Sequence, residues 1–192
     1  LDRDGVINEL IYHEEQGIID SPFTVDQLKI IGGVTQAICL LRDAGYKIII
    51  VSNQPGIAKK HMSMKTFEAI RQRLIDKLAI EHANIDAEYY CLHHPQAIAA
   101  NLKEECECRK PKPGLIIEAA KELGINLKSS WMVGDGLTDI QAGKSAGCQT
   151  ILIGKHKCEL CHLMEENNAK PDYICENLLQ AAHLIINNTS TE

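Results

Sequence analysis

Residues 47–51 read Lys-Ile-Ile-Ile-Val, an apolar run too short for a helix and too uniform for a strand with one wet face. Such a run suits a strand buried on both faces of a parallel sheet. It constrains the fold because further short runs, at 86–91, 131–134, 149–153 and 172–175, alternate with amphipathic helical segments. Val34, Ala37, Ile38 and Leu41 make one apolar stripe, closed by Gly45. Phe67, Ile70, Leu74 and Leu78 make another behind an N-cap at Ser63. Pro113 opens a third, carrying Leu115, Ile116, Ala119, Ala120 and Leu123, and Gly124 stops it. Shorter helices are expected over 137–146 and 177–187. The alternation predicts an α/β fold, a doubly wound parallel sheet with helices on both faces. The 192 residues suit a single domain over 1–192, and 45% hydrophobic residues are enough for its core.

A formal net charge of -6 argues against a nucleic-acid partner, which demands a basic face. No stretch approaches the roughly 18 apolar residues of a membrane helix, so no membrane partner is expected. No secretory leader is visible. Leu1-Asp2 reads as the last step of a strand whose earlier residues lie outside the sequence. Two long loops, roughly 9–31 and 92–112, stand out, and loops of that length tend to be functional.

In a doubly wound sheet, ligands bind beyond the carboxyl ends of the strands. Asp2-Arg3-Asp4-Gly5 follows the first strand, Ser52-Asn53 the second, Lys110 sits in the loop after the third, and Gly134-Asp135 follows the next. Taken singly these are ordinary turns and caps. Together they bring carboxylates, a hydroxyl and a lysine to one edge. Like charges packed there call for a hard, oxygen-ligated cation such as magnesium.

The segments DRDGVIN (2–8), VSNQPGI (51–57), CRKPKPG (108–114) and VGDGLTDIQAG (133–143) resemble the four ordered motifs of haloacid-dehalogenase-type phosphatases. The likeness covers nearly the whole chain. It is greatest to the branch that holds heptose-bisphosphate and histidinol-phosphate phosphatases. The resemblance implies a fold without a large cap domain, Asp2 as nucleophile and Asp4 as general acid-base. Ser52 and Lys110 would stabilise the phosphoryl group, and Asp2, Asp135 and the carbonyl of Asp4 would hold magnesium. Asn53, Gln54 and Arg109 are the expected substrate-binding residues. Asp139, four residues after Asp135 on the next helix, faces the same way and is expected to support it. The expected substrate is a small phosphorylated sugar, with removal of the 7-phosphate of a heptose 1,7-bisphosphate as the leading reaction. Histidinol phosphate is the rival substrate, and a non-catalytic zinc-bearing module the remote alternative. The sequence departs from the pattern at Gly136, where many relatives carry lysine. Its loop 9–31 is also long for the branch, which puts Tyr12 and His13 at the expected substrate rim.

Eight cysteines raise the choice between disulfides and metal. Cys91-Leu92-His93 and Cys106-Glu107-Cys108 supply the four ligands of a tetrahedral zinc site. A Cys106–Cys108 disulfide would be strained, and the reducing cytoplasm expected for this chain disfavours one. The resemblance implies the same zinc loop, at about 91–109. Zinc there should be structural and should fix where Arg109 and Lys110 point. His94 competes with His93, and the spacing favours His93. The Cys158-x-x-Cys161-His162 string, with His156 nearby, reads as a solvent-facing loop with spare thiols, a second zinc site being the alternative. Cys39, Cys148 and Cys175 read as small core residues. A monomer is expected.

Overall fold

Ile50 and Val51 are neighbours in sequence and sit in different cores. The computed structural model, which describes residues 1–154 and 159–189, shows why. Successive side chains of a strand point to opposite faces. Strand β3 (Ile49–Asn53) is covered on one face by α1 (Val34–Asp43), α2 (Met64–Ile80) and α6 (Leu178–Thr189). On the other face, Val51 meets Leu115 and Ile116 of α3 (Gly114–Leu123) and Ala142 of α4 (Leu137–Ala146). Met132 and Val133 of β5 (Trp131–Gly134) divide in the same way, as do Ile151 and Leu152 of β6 (Gln149–Ile153). Buried strands clothed on both sides are the expected α/β architecture.

Pairing is parallel throughout the main layer. β3 runs beside β4 (Ala87–Cys91), with Ile49 opposite Ala87 and Asn53 opposite Cys91. β5, β6 and β7 (Tyr173–Cys175) form a second parallel group. Leu1 and Asp2 join the two. Leu1 N donates to Ile49 O (2.8 Å), Val51 N to Leu1 O (2.9 Å) and Asp2 N to Val133 O (2.9 Å). Asp2 therefore emerges between the carboxyl ends of β3 and β5.

Local signals set the helix ends. Ser63 Oγ accepts from Thr66 N at 3.0 Å, and Gly124 closes α3 in the left-handed region at φ 64°. Three expectations shift. The strand placed at 47–51 forms at Ile49–Asn53, because Asp86 Oδ2 takes the Ile48 amide at 2.7 Å. The long loop 9–31 contains an antiparallel hairpin, β1 (Ile11–His13) and β2 (Ile18–Asp20), with Tyr12 opposite Ile19. The segment read as a loop around Cys161 and His162 is helix α5 (Glu159–Glu166), with Cys161 exposed; His156 and Cys158 lie outside the described residues. Cys175 is buried, whereas Cys39 and Cys148 only flank their cores. No helix among the described residues is long and apolar enough to cross a membrane.

Candidate active site

The parallel register delivers Ser52, Asn53 and Gln54 from the end of β3, Asp135 from the end of β5 and Asp2 between them. Lys110 enters from the loop after β4. Its buried Nζ lies 2.8 Å from Asp2 Oδ1 and 2.5 Å from Asp139 Oδ1, and donates to Val51 O at 2.9 Å. Its backbone is held by Asn53, whose Nδ2 donates to Lys110 O and whose Oδ1 accepts from Lys110 N, both at 3.0 Å. Asp139 also accepts from Gly136 N at 3.0 Å, which fixes the first turn of α4.

One carboxylate oxygen each from Asp2, Asp135 and Asp139 lies within 4.8 Å of the others. The charges in this cluster do not balance. Burial opposes ionisation of Asp2, but Lys110 and the Ser52 hydroxyl outweigh it and hold its carboxyl below the usual range. Burial, then the charges of Asp2 and Asp139, push Asp135 up to about 7. Burial raises Asp139 to about 6 despite the pull of Lys110. Burial opposes the charge on Lys110, yet Asp2 and Asp139 together leave its pKa raised. Three acids against one ammonium, with oxygen donors alone, fit a hard divalent cation. The packing is equally specific. Gly5 sits at φ +80°, and a Cβ there would lie 2.1 Å from Asp135 Oδ2. A Cβ at Gly134 would lie 2.2 Å from that of Asp139.

The Asp4 side chain turns to a different set of partners. Arg3 donates through Nε (3.2 and 3.3 Å) and Nη2 (3.0 Å), Asn8 through Nδ2 (2.9 Å), and Gln54 through Nε2. Gln54 Oε1 accepts from Arg3 Nη2 at 2.7 Å, and Gln54 Nε2 also reaches Ser52 Oγ at 3.2 Å. Asn53 and Gln54, expected on the substrate, thus spend their side chains on Lys110 and Asp4. Arg3 and Asn8 were missed by sequence reasoning. An arginine between two acids was the signal available for the first.

The second cluster lies next to the first along the chain. Cys108 Sγ is 2.9 Å from Cys106 Sγ, 3.2 Å from Cys91 Sγ and 3.5 Å from His93 Nδ1, while Cys91 and Cys106 are 3.4 Å apart. All three cysteines are free thiols, and the four ligand atoms lie within 4.8 Å of one another. Burial raises Cys91 and Cys108. Burial also opposes ionisation of Cys106, but hydrogen bonds from Cys108, Cys91 and His93 bring its thiol down to about 7. Three sulfurs and one imidazole nitrogen fit a closed tetrahedral zinc site. His94 is not of this set; its Nδ1 accepts from Gln96 N at 3.0 Å. Arg109 Nη1 donates to His93 O at 3.2 Å, and Glu107 pairs with Lys112 at 2.8 Å.

At the rim, Tyr12 is exposed, but His13 is not. It stacks on Phe23 (3.7 Å between centroids) and its Nε2 donates to Ser21 O at 2.9 Å, pinning the hairpin to the loop behind it.

An Asp-x-Asp turn and a Gly-Asp turn at strand ends of a doubly wound sheet, with a buried lysine from the loop after β4 between them, form the constellation expected of a haloacid-dehalogenase-like hydrolase. A family model described as HAD-hydrolase-like matches residues 107–181. The chain is 34% identical over 187 residues to the D-glycero-beta-D-manno-heptose-1,7-bisphosphate 7-phosphatase of Photorhabdus laumondii, covering 97% of this chain and 88% of that one. It is 37% identical over 153 residues to the protein of that name from Salmonella typhi, covering 80% and 77%. It also matches the crystal structure of D,D-heptose 1,7-bisphosphate phosphatase from B. bronchiseptica complexed with magnesium and phosphate. The TM-score is 0.78, with 28% identity and coverage of 97% and 96%. The chain belongs to the HAD-like phosphatase family and is a phosphoric monoester hydrolase.

Proposed function

We propose that this protein removes the 7-phosphate of D-glycero-D-manno-heptose 1,7-bisphosphate, as a single-domain cytoplasmic monomer that uses magnesium for catalysis and zinc for structure. The observation that carries the chemistry is Lys110 Nζ wedged between Asp2 and Asp139, 2.8 Å from the former, on the edge where Ser52 and Asp135 also emerge. The substrate assignment is supported by the names of relatives at 33–37% identity. The negative cluster supports the catalytic ion, and the thiol–imidazole cluster supports the structural one.

Phosphoryl transfer depends chiefly on positioning and charge stabilisation. Magnesium, held by Asp2, Asp135 and the carbonyl of Asp4, would neutralise the approach of a phosphate dianion to a carboxylate. Lys110 and Ser52 hold the phosphoryl oxygens, and Asp2 attacks phosphorus in line to form an acyl phosphate. Asp4 gives a proton to the departing alkoxide and later takes one from the water that hydrolyses the intermediate. Arg109, anchored by His93 O beside Lys110, grips the phosphate that is not transferred, for which a planar two-pronged donor is suited.

The test is a panel of phosphate-release kinetics with and without magnesium. Both anomers of heptose 1,7-bisphosphate, histidinol phosphate and fructose 1,6-bisphosphate are compared. The heptose substrate should lead in kcat/KM. A lead for histidinol phosphate would overturn the substrate assignment, and turnover undiminished by chelation would overturn the role of the ion.

A further inference from the structure

Asp4 is held by donors from three side chains. Arg3, Asn8 and Gln54 come from two separate segments of chain, and all three are buried. Between them they address both carboxylate oxygens. Gln54 also accepts from the same guanidinium, so the donors brace one another as well as the acid. Behind the guanidinium lies the Tyr90 ring, with Arg3 Cζ 5.9 Å from its centroid. The Tyr90 hydroxyl is in turn tied to Glu88 Oε2 at 2.7 Å. Arg3 is thus held between an aromatic wall and the carboxylate, and its Nη1 finds no hydrogen-bond partner among the described residues. A buried arginine with an unpaired nitrogen is a poor device for stability. Its guanidinium spends its side-chain hydrogen bonds on Asp4 and Gln54.

We propose that Arg3, Gln54 and Asn8 are positioning residues that fix the orientation of the Asp4 carboxyl for proton transfer to the leaving oxygen. None of the three is required to touch the phosphoryl group, and their effect passes through Asp4, save that Gln54 Nε2 also reaches Ser52 Oγ at 3.2 Å, a contact whose loss weighs on both substrates alike. The inference rests on the reading of Asp4 as the leaving-group acid. In that step a protonated Asp4 gives its proton to the bridging ester oxygen while the phosphorus–oxygen bond breaks with its electron pair on that oxygen. The N–H donors of Arg3, Asn8 and Gln54 receive the carboxylate that results. The bond from Asp2 to phosphorus forms at the same time. A carboxyl free to rotate spends most of its time unable to complete this transfer. The loss should therefore be large where the leaving group needs a proton, as in an alkyl phosphate, and small for p-nitrophenolate, which does not.

Gln54→Ala is the primary variant, because it removes a neutral donor. Arg3→Ala strips a buried carboxylate of its counter-charge and puts the fold itself at risk. Gln54→Ala should lower kcat on heptose bisphosphate by about 10- to 100-fold, with a change of only about 2- to 3-fold on p-nitrophenyl phosphate. Arg3→Lys, which keeps the charge and loses the fork, should show the same split to a lesser degree. The split should vanish when Gln54→Ala is placed in an Asp4→Asn background, since residues acting through one group are not additive. Equal losses on both substrates, or an undiminished further loss in the Asp4→Asn background, would overturn the positioning role. If Asp4→Asn itself discriminates between the two leaving groups and Gln54→Ala does not, the positioning inference alone fails. If Asp4→Asn shows no discrimination, the acid assignment falls and takes this inference with it.

Discussion

The floor of the cleft and its rim are built by opposite means. On the floor, Ser52, Lys110 and Asp139 are buried, and each is fixed by the sheet or by an element that leaves it. At the rim, the hairpin is made of three-residue strands whose facing pair, Tyr12 and Ile19, is exposed at 61% and 69%, and the loop after β4 exposes Ile98. The sheet positions the floor at no local cost, because parallel strands end together. The rim has no such scaffold and is fastened locally, by His13 on Phe23 in one loop and by three thiols and an imidazole in the other. Precision in this molecule comes from the fold below and from side-chain fasteners above.

Substitutions of the floor residues that attack or hold the phosphoryl group should be severe and independent of substrate, those around Asp4 should follow the leaving group, and those at the rim should be graded and selective. The largest effect is expected for Asp2→Asn, which removes nucleophile and metal ligand together. Phosphate release should fall to near background on every substrate, and substantial residual turnover would break the assignment of the floor. Lys110→Ala leaves three acids without their ammonium. Removing one partner of a buried ion pair costs about 3–5 kcal/mol, so urea denaturation should show a loss of that order, partly restored by added magnesium.

Cys106→Ser tests whether the rim fastener reaches the floor. Metal analysis should find close to one zinc per chain in the parent and much less in the variant. The rate should fall by up to about 100-fold, since ~1 Å of displacement at Lys110 suffices for that, while the requirement for magnesium persists. The smallest and most selective effect belongs to Arg109→Ala. Binding of a bisphosphate should weaken by roughly 1.5–3 kcal/mol, the value of a hydrogen bond to a charged group. Hydrolysis of p-nitrophenyl phosphate should change much less, and Arg109→Lys should recover part of the loss. Equal damage to both substrate classes would erase the distinction between floor and rim.

The same division explains what could be read from the sequence. β5 and β6 lie at their expected residues, 131–134 and 149–153, because an unbroken run of buried positions, 132–134 in one and 150–153 in the other, leaves a plain pattern. Asp2 and Asp135 were legible because each stands directly at a strand end, whereas Lys110, far along the loop after β4, was legible only through the motif around it. The hairpin was not, since three residues are too few to show alternation, and its exposed Tyr12–Ile19 pair mimics no core face. Asn53 and Gln54 stand on the expected edge, and their contacts with Lys110 and Asp4 were not legible. Where each of these two neighbouring polar side chains turns depends on partners 50 or more residues away. No local periodicity carries that information.

Asn53 shows what such a distant contact can do. Its amide gives one hydrogen bond and takes one from the same residue, Lys110, as a peptide group does across a sheet. The side chain acts as a counterfeit strand residue, extending the ladder one step into a loop whose own backbone has left it. That imposture needs a donor and an acceptor in one plane at one reach. Aspartate would set an acceptor against a carbonyl, glutamine would overshoot, and serine would fall short. The position is therefore closed to chemistry that would pass as similar almost anywhere else on the surface, although Asn53 itself touches neither proton nor phosphate in the proposed reaction.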